Sequence, residues 1–171
     1  SKLAFRYIFE HLFLAHIHFE NLPGVFFRIV RSKTPFPNAI DEIPTTRPYD
    51  SPGPDPFYYR FQKITSTIVH KTHILYALSD KKMSRFIELF IDKKWAKEKV
   101  ILPTYEDKIS SNPFVIFEQI PARSRYQFLL DNAQYHVMTF IRGPVCKGQV
   151  ALNVINDHFW VMFLAPNTDI S

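Results

Sequence analysis

The sequence predicts an α+β fold, rich in helix, with a small antiparallel sheet and one long proline-rich loop. Three observations lead there. Apolar residues recur at helical spacing over several stretches of the 171-residue chain, and apolar residues alternate along a shorter stretch near residue 30. Between residues 35 and 56 the chain carries prolines at 35, 37, 44, 48, 52, 54 and 56, which leaves no room for regular structure. With 46% hydrophobic residues and 17 phenylalanines, aromatic packing is expected to dominate a sizeable core, and disorder is excluded for most of the chain.

Taken in order, residues 2–20 read as a helix. Leu3, Phe5, Ile8, Phe9, Leu12 and Phe19 cover well over half its circumference, the pattern of a helix buried in a larger fold. Pro23-Gly24 ends it. Residues 25–33 alternate through Val25, Phe27 and Ile29 as a half-buried strand, and 57–70 return to strand-like composition and are expected to pair with it. The intervening 35–56 segment is either a surface loop or an ordered lid, the latter favoured by its embedded Ile40, Ile43, Arg47 and Tyr49. Ser79 or Asp80 is placed to cap a helix over 81–97, in which Met83, Phe86, Ile87 and Phe90 keep helical spacing. A short apolar element follows at 113–120. A long helix runs from Ser124 to Ile141 and is stopped by Gly143-Pro144. A further helix is expected at 149–155, before the apolar run 159–164. The chain reads as one domain, or as part of a larger one, because both ends fall within apolar patterns.

Charge narrows function little. There are 21 basic and 16 acidic residues, a formal charge of +5, without a dense basic run or nucleic-acid motif. Either a solvated basic surface or attraction to an anionic surface would account for it, and nucleic acid is not an expected partner. The single cysteine, Cys146, excludes an intrachain disulfide framework and the paired-cysteine motif that attaches a c-type haem. No apolar run reaches membrane-spanning length.

Seven histidines raise the question of ligation. On a helix, His11 and His18 would share a face about 10 Å apart along the axis, too far for one metal ion. His16 and Glu20 would stand one turn apart, while His16 and His18 would point to nearly opposite sides. No closed zinc motif is present, so structural hydrogen bonding stands beside ligation as a reading of each. His70 and His73 come together in a turn or helix and diverge in a strand. The densest segment is Arg142-Gly-Pro-Val-Cys146-Lys147-Gly148-Gln149. It places Cys146 in a tight turn near a helix start beside Lys147, a setting that favours thiolate, although lone cysteines are more often buried small hydrophobes. Asn153, Asn156, Asp157 and His158 next to Phe159-Trp160 read as a pocket wall.

This segment, from Phe140 to Trp160, resembles a characteristic stretch of the bacterial fatty acid cis/trans isomerases. So do Glu10-His-Leu-Phe-Leu-Ala-His16, Phe27-Arg-Ile-Val-Arg-Ser32, Ile40-Asp-Glu-Ile43 with Arg47-Pro-Tyr-Asp50, and Thr67-Ile-Val-His-Lys-Thr-His73. The blocks fall in family order across nearly the whole chain. The resemblance implies a periplasmic enzyme that converts cis unsaturated acyl chains of membrane phospholipids to trans. It also implies a covalent haem c whose iron withdraws electron density from the double bond so that it can rotate. The attachment motif is not in this chain, which would then be an interior or C-terminal piece acting with the remainder of its parent polypeptide and touching the membrane peripherally. On this resemblance the candidate catalytic residues are His70, His73, Cys146 and His158, and His11 and His16 are candidates near a haem. Arg142, Lys147, Phe159 and Trp160 are candidates for substrate contact, and no separate metal site is expected. Two other readings remain open: a non-catalytic lipid or membrane-surface binding module, and a histidine-metal hydrolase resting on histidine count alone.

Overall fold

The computed structural model of the chain describes residues 2–68, 74–92, 100–105 and 112–136. The elements run α1 (Lys2–Leu12), β1 (Ala15–Phe19), β2 (Phe26–Ser32), β3 (Tyr58–Lys63), β4 (Ile74–Leu78), α2 (Asp80–Ile87), a π-helical segment (Glu88–Asp92), α3 (Pro113–Ile116) and α4 (Ala122–Asp131). The four strands form one sheet in the order β3-β2-β1-β4. The α+β class therefore holds, with one correction. The sheet is mixed rather than antiparallel, because β4 pairs with β1 in parallel from Ala15↔Ile74 to Phe19↔Leu78. The expected antiparallel pairing of the two proline-flanked strands is present, from Phe27↔Lys63 to Ser32↔Tyr58.

The predicted helix over 2–20 is two elements. After Leu12 the residues Ala15, Ile17 and Phe19 alternate with His16 and His18, and that two-residue period decides for strand once β2 and β4 offer ladder partners on both edges. A segment apolar on nearly every position fits both periods, so only tertiary pairing separates them. Pro23-Gly24 is not a helix stop but the corner of the β1–β2 connection. Val25 N donates to the Leu22 carbonyl at 3.3 Å, with proline in the second position and Gly24 at φ 76° in the third. That is the arrangement of a type II turn, which needs a residue tolerant of positive φ there.

Strand alternation gives the sheet two faces. Ala15, Ile17, Ile29, Ile74, Tyr76 and Leu78 point to one side and join the buried core with Leu3, Tyr7, Phe9 and Leu12 of α1. His16, His18 and Arg28 point to the other. Helix α1 is thus held between the sheet and the later helical elements. The Phe9 ring lies 5.0 Å from Tyr59 of β3, whereas Tyr7 meets Phe117 at 4.9 Å and Phe128 of α4 at 5.5 Å. Edge-on and tilted contacts of this kind add to the burial energy of each ring. Ser79 caps α2 by accepting from Lys82 N at 3.1 Å, as its sequence position predicts. That helix passes into the π-helical segment from Glu88; the rest of the predicted 81–97 helix lies outside the described residues. The helix expected from Ser124 begins at Ala122 and breaks at Asn132, with a further helical turn over 133–136.

The proline-rich segment is tied to β2 through residues 41–50. Ile43 N donates to the Arg31 carbonyl at 2.8 Å, and Ser32 and Glu42 form an isolated antiparallel bridge. Arg31, almost wholly buried, donates to Thr45 Oγ1 at 3.1 and 3.0 Å and to the Asp50 carbonyl. Arg60 reaches across from β3 to the carbonyls of Thr34 and Asn38, both at 3.1 Å. Charged donors thus satisfy carbonyls that a proline-rich chain cannot pair in a ladder.

Candidate functional site

An apolar groove of about 190 Å³ opens where α1, the sheet and α2 meet, with Ile8, Ile17, Phe61, Met83, Phe86 and Ile87 among its walls. Its floor is the buried face of the strands. Its mouth keeps large apolar side chains in water: Phe5 is 51% exposed, Phe61 44% and Ile87 42%. Contiguous exposed apolar groups of this size mark binding surfaces more often than isolated ones do. The amphipathic spacing of α2 explains the arrangement. Phe86 turns into the core, while Met83 and Ile87 flank it at the rim.

Behind α1, on the side away from the sheet, His11 and His136 meet with ring centroids 5.7 Å apart, packed against Tyr7, Phe128 and Tyr135. The His11 Nδ1 lies 2.7 Å from the Tyr7 carbonyl oxygen. A carbonyl only accepts, so Nδ1 carries the proton. Burial lowers the His11 pKa, which makes the ring neutral near pH 7 and leaves the lone pair on Nε2. Burial, and then the neighbouring His11, push His136 down to about 4. Its Nε2 is buried without a hydrogen-bond partner among the described residues. The Tyr7 phenol donates to the Arg125 carbonyl at 3.3 Å, and burial raises its pKa. Nearby, the Tyr76 hydroxyl donates to Asn132 Oδ1 at 2.6 Å, fixing β4 to the end of α4.

The structure divides the residues that sequence placed near a haem. His11 lies in the helical layer, whereas His16 lies on the opposite side of the sheet, lining a cavity of about 180 Å³ with Phe13, Arg28, Glu42 and Thr45. The helical relations read for His11 with His18, His16 with Glu20 and His16 with His18 all fail, because β1 is a strand. His16 and His18 share a face of the sheet instead. His70, His73, Cys146 and His158, with Arg142, Lys147, Phe159 and Trp160, lie outside the described residues, as do the 149–155 helix and the 159–164 run. Among the described residues no group of three or more His, Cys, Asp or Glu is placed to hold a metal ion, and no helix is long and apolar enough to cross a membrane.

Two residues escaped the sequence reading. His136 sat unremarked within a predicted helix, and nothing in its flanks announces that the helix breaks at Asn132 and turns it toward His11. Arg6 was legible. With Glu10 it forms an i, i+4 pair of opposite charge in an otherwise apolar helix, and charges retained on such a helix need a partner. Their bond is 2.8 Å, and both side chains are nearly enclosed. Burial raises the Glu10 pKa, with Arg6 and then Arg31 opposing it.

The geometry is therefore that of an α+β protein carrying an open apolar groove on one side of its first helix and a neutral imidazole pair in the aromatic layer on another. The chain belongs to the fatty acid cis/trans isomerase family, which it matches over residues 1–171, its whole length. Comparison with curated proteins finds no match, and comparison with solved structures finds none either.

Proposed function

We propose that this chain forms the acyl-handling part of a haem-dependent isomerase that converts cis unsaturated acyl chains of membrane phospholipids to trans. The family match over residues 1–171 carries the reading, and the apolar groove beside α1 supports it. A flexible hydrocarbon chain needs an elongated apolar slot with few polar groups, and the groove offers Phe, Ile and Met side chains on three sides. Those walls exclude water from the chain and hold it extended. The half-exposed Phe5 and Phe61 at the mouth would meet the apolar edge of a bilayer, and the net charge of +5 favours an anionic lipid surface. The protein would work in the periplasm, joined to the remainder of its parent polypeptide.

The donor chemistry of His11 suits an iron ligand, although its ring is packed among Tyr7, Phe117, Phe128 and His136 and does not line the groove. Its proton is held at Nδ1 by the Tyr7 carbonyl, the ring is neutral, and Nε2 keeps the lone pair. A carbonyl partner at the far nitrogen is the usual way a protein fixes the tautomer and orientation of a ligating imidazole. When bound, a haem would supply an iron centre that withdraws electron density from the double bond. The single cysteine of this chain cannot form a paired-cysteine attachment, so the covalent link would come from elsewhere in the parent polypeptide. The aromatic layer around His11 and His136 keeps both rings neutral and dry, which preserves His11 as a donor near neutral pH.

The test uses the parent enzyme. Met83→Asp and Ile87→Asp at the groove rim are expected to cut the trans-to-cis ratio of cellular fatty acids about ten-fold, read by gas chromatography, because each places a charge against an apolar chain. His11→Gln is expected to shift the haem absorption band; an unchanged spectrum removes His11 from the iron. A second reading, a non-catalytic lipid or membrane-surface binding module, is favoured by the exposed aromatic rim. Full trans production after alanine replacement of His70, His73 and Cys146 together would support it.

A further inference from the structure

Beside the groove lies a second hollow of about 270 Å³, and the two share Phe5 and Tyr59 as walls. The second hollow differs in one respect: it is lined by a buried guanidinium. Arg6 sits on the first turns of α1 with its side chain only 4% exposed. Nε donates to Glu10 Oε1 at 2.8 Å, Nη1 donates to the Pro103 carbonyl at 3.1 Å, and the group stacks 4.0 Å over the Tyr105 ring. Nη2 is buried and has no hydrogen-bond partner among the described residues.

That nitrogen sets Arg6 apart from the other buried arginine. Arg31, equally buried, commits its donors to Thr45 and Asp50. A buried charged donor left unpaired is costly, and native structures seldom keep one without a use. The walls around it are apolar or aromatic, including Phe57 and Leu102, and Lys2 adds a second positive charge at the edge. Burial keeps Tyr59, on the shared wall, a neutral phenol. Asp55 also lines the hollow, so the positive charge that an anion would meet there comes from Arg6 and Lys2 against one carboxylate.

We infer that this hollow is an oxyanion head site: the Arg6 guanidinium, with Lys2 at the edge, receives the anionic head of an amphiphile whose hydrocarbon tail passes Phe5 and Tyr59 into the groove. The head is a carboxylate or a phosphate, since both present oxygens to guanidinium N–H groups. Stacking on Tyr105 and the bonds to Glu10 and Pro103 hold the guanidinium in place before the ligand arrives, so little side-chain freedom is lost on binding. The arrangement also sets polarity: the head end lies by the N-terminal turns of α1 and the tail runs toward α2. This inference rests on the acyl-handling reading of the groove and adds to it which end of the lipid enters where.

The experiment is equilibrium binding to the full chain, below micellar concentrations, of oleate, oleoyl lysophosphatidate and oleyl alcohol. All three share one tail and differ in the head. Either anion is expected to bind about ten-fold tighter than the alcohol, the size of a charge-assisted hydrogen bond. Preference for oleate identifies a carboxylate head, and preference for the lysolipid a phosphate. Arg6→Met combined with Glu10→Gln removes both buried charges together, so that neither is left unpaired; it should abolish the preference while leaving alcohol binding in place. Lys2→Glu, at an exposed position, should weaken both anions several-fold without touching the alcohol, and it decides the matter if the double variant does not fold. Equal affinity for anions and alcohol in the unaltered chain, or a preference that survives these substitutions, overturns the head site. Binding of oleyl alcohol is read separately from trans product, so loss of the head preference does not imply loss of the groove, and absence of isomerisation does not imply absence of the head site.

Discussion

Acidification should destabilise this protein through the imidazole pair. His136 has a pKa of about 4 in the folded chain against an ordinary 6.5, because its ring is partly buried in the aromatic layer and faces His11. A folded pKa below the unfolded one means that the unfolded chain binds more protons between the two values. Stability therefore rises with pH across that window and is lost as pH falls from about 6.5 toward 4. The shift corresponds to about 2 kcal/mol lost near pH 5, and on the order of 3 kcal/mol by the time the folded-state pKa is reached. His11, also lowered by burial, acts in the same direction. Glu10 opposes both, since its raised pKa favours the folded state as pH falls toward the ordinary carboxylate range. Urea unfolding near pH 7, 6 and 5, compared between the unaltered chain and His136→Phe, isolates the term because Glu10 contributes equally to both. Phenylalanine suits the site, whose neighbours are Phe128 and Tyr135. The variant should lose about 2 kcal/mol less than the unaltered chain between pH 7 and pH 5. Parallel pH slopes in the two proteins would refute the burial argument.

Other substitutions probe the joints of the fold. Tyr76→Phe removes the 2.6 Å bond to Asn132 and leaves a buried carbonyl oxygen without its donor. A loss of about 1–2 kcal/mol in urea unfolding is expected, where an exposed tyrosine would show almost none. Arg31→Met frees Thr45 and Asp50 and should loosen the proline-rich segment while leaving the sheet intact. Chymotrypsin cleavage after Tyr49 should then quicken at least several-fold without a comparable change in midpoint.

The parts of the fold visible in sequence are those where one periodicity or one local signal dominates. The strand at 25–33, the Ser79 cap and the proline window each have a single local cause, and the structure places a strand at Phe26–Ser32, the cap at Ser79 and irregular chain over 35–56. The strand is, however, buried continuously from Ile29 to Ser32 rather than alternately. Residues 13–19 had no such cause. Phe13, Leu14, Ala15, Ile17 and Phe19 satisfy helical and strand spacing alike, and only β2 and β4 on either side choose between them. The same ambiguity hid β4. Ile74 to Leu78 is a short apolar run whose parallel pairing with β1 depends on a strand 55 or more residues earlier. Of the site, the groove follows from the amphipathic spacing of α2, while the meeting of His11 with His136 depends on the break at Asn132, a tertiary event. The Arg6–Glu10 pair, a charged i, i+4 step on an apolar helix, was a signal the sequence held but the sequence reading did not take up.

Covalent mapping of a bound acyl chain tests the acyl-handling claim most directly. A cis unsaturated fatty acid with a photoreactive group near the middle of its tail would be bound to the full chain, irradiated, and the labelled positions found by peptide mass spectrometry. Label is expected on the groove walls, Ile8, Phe61, Met83 and Ile87, and should be displaced by excess oleate. Label spread over the surface, or concentrated on the far side of the sheet around His16 and Arg28, would contradict the assignment of this groove to the lipid tail.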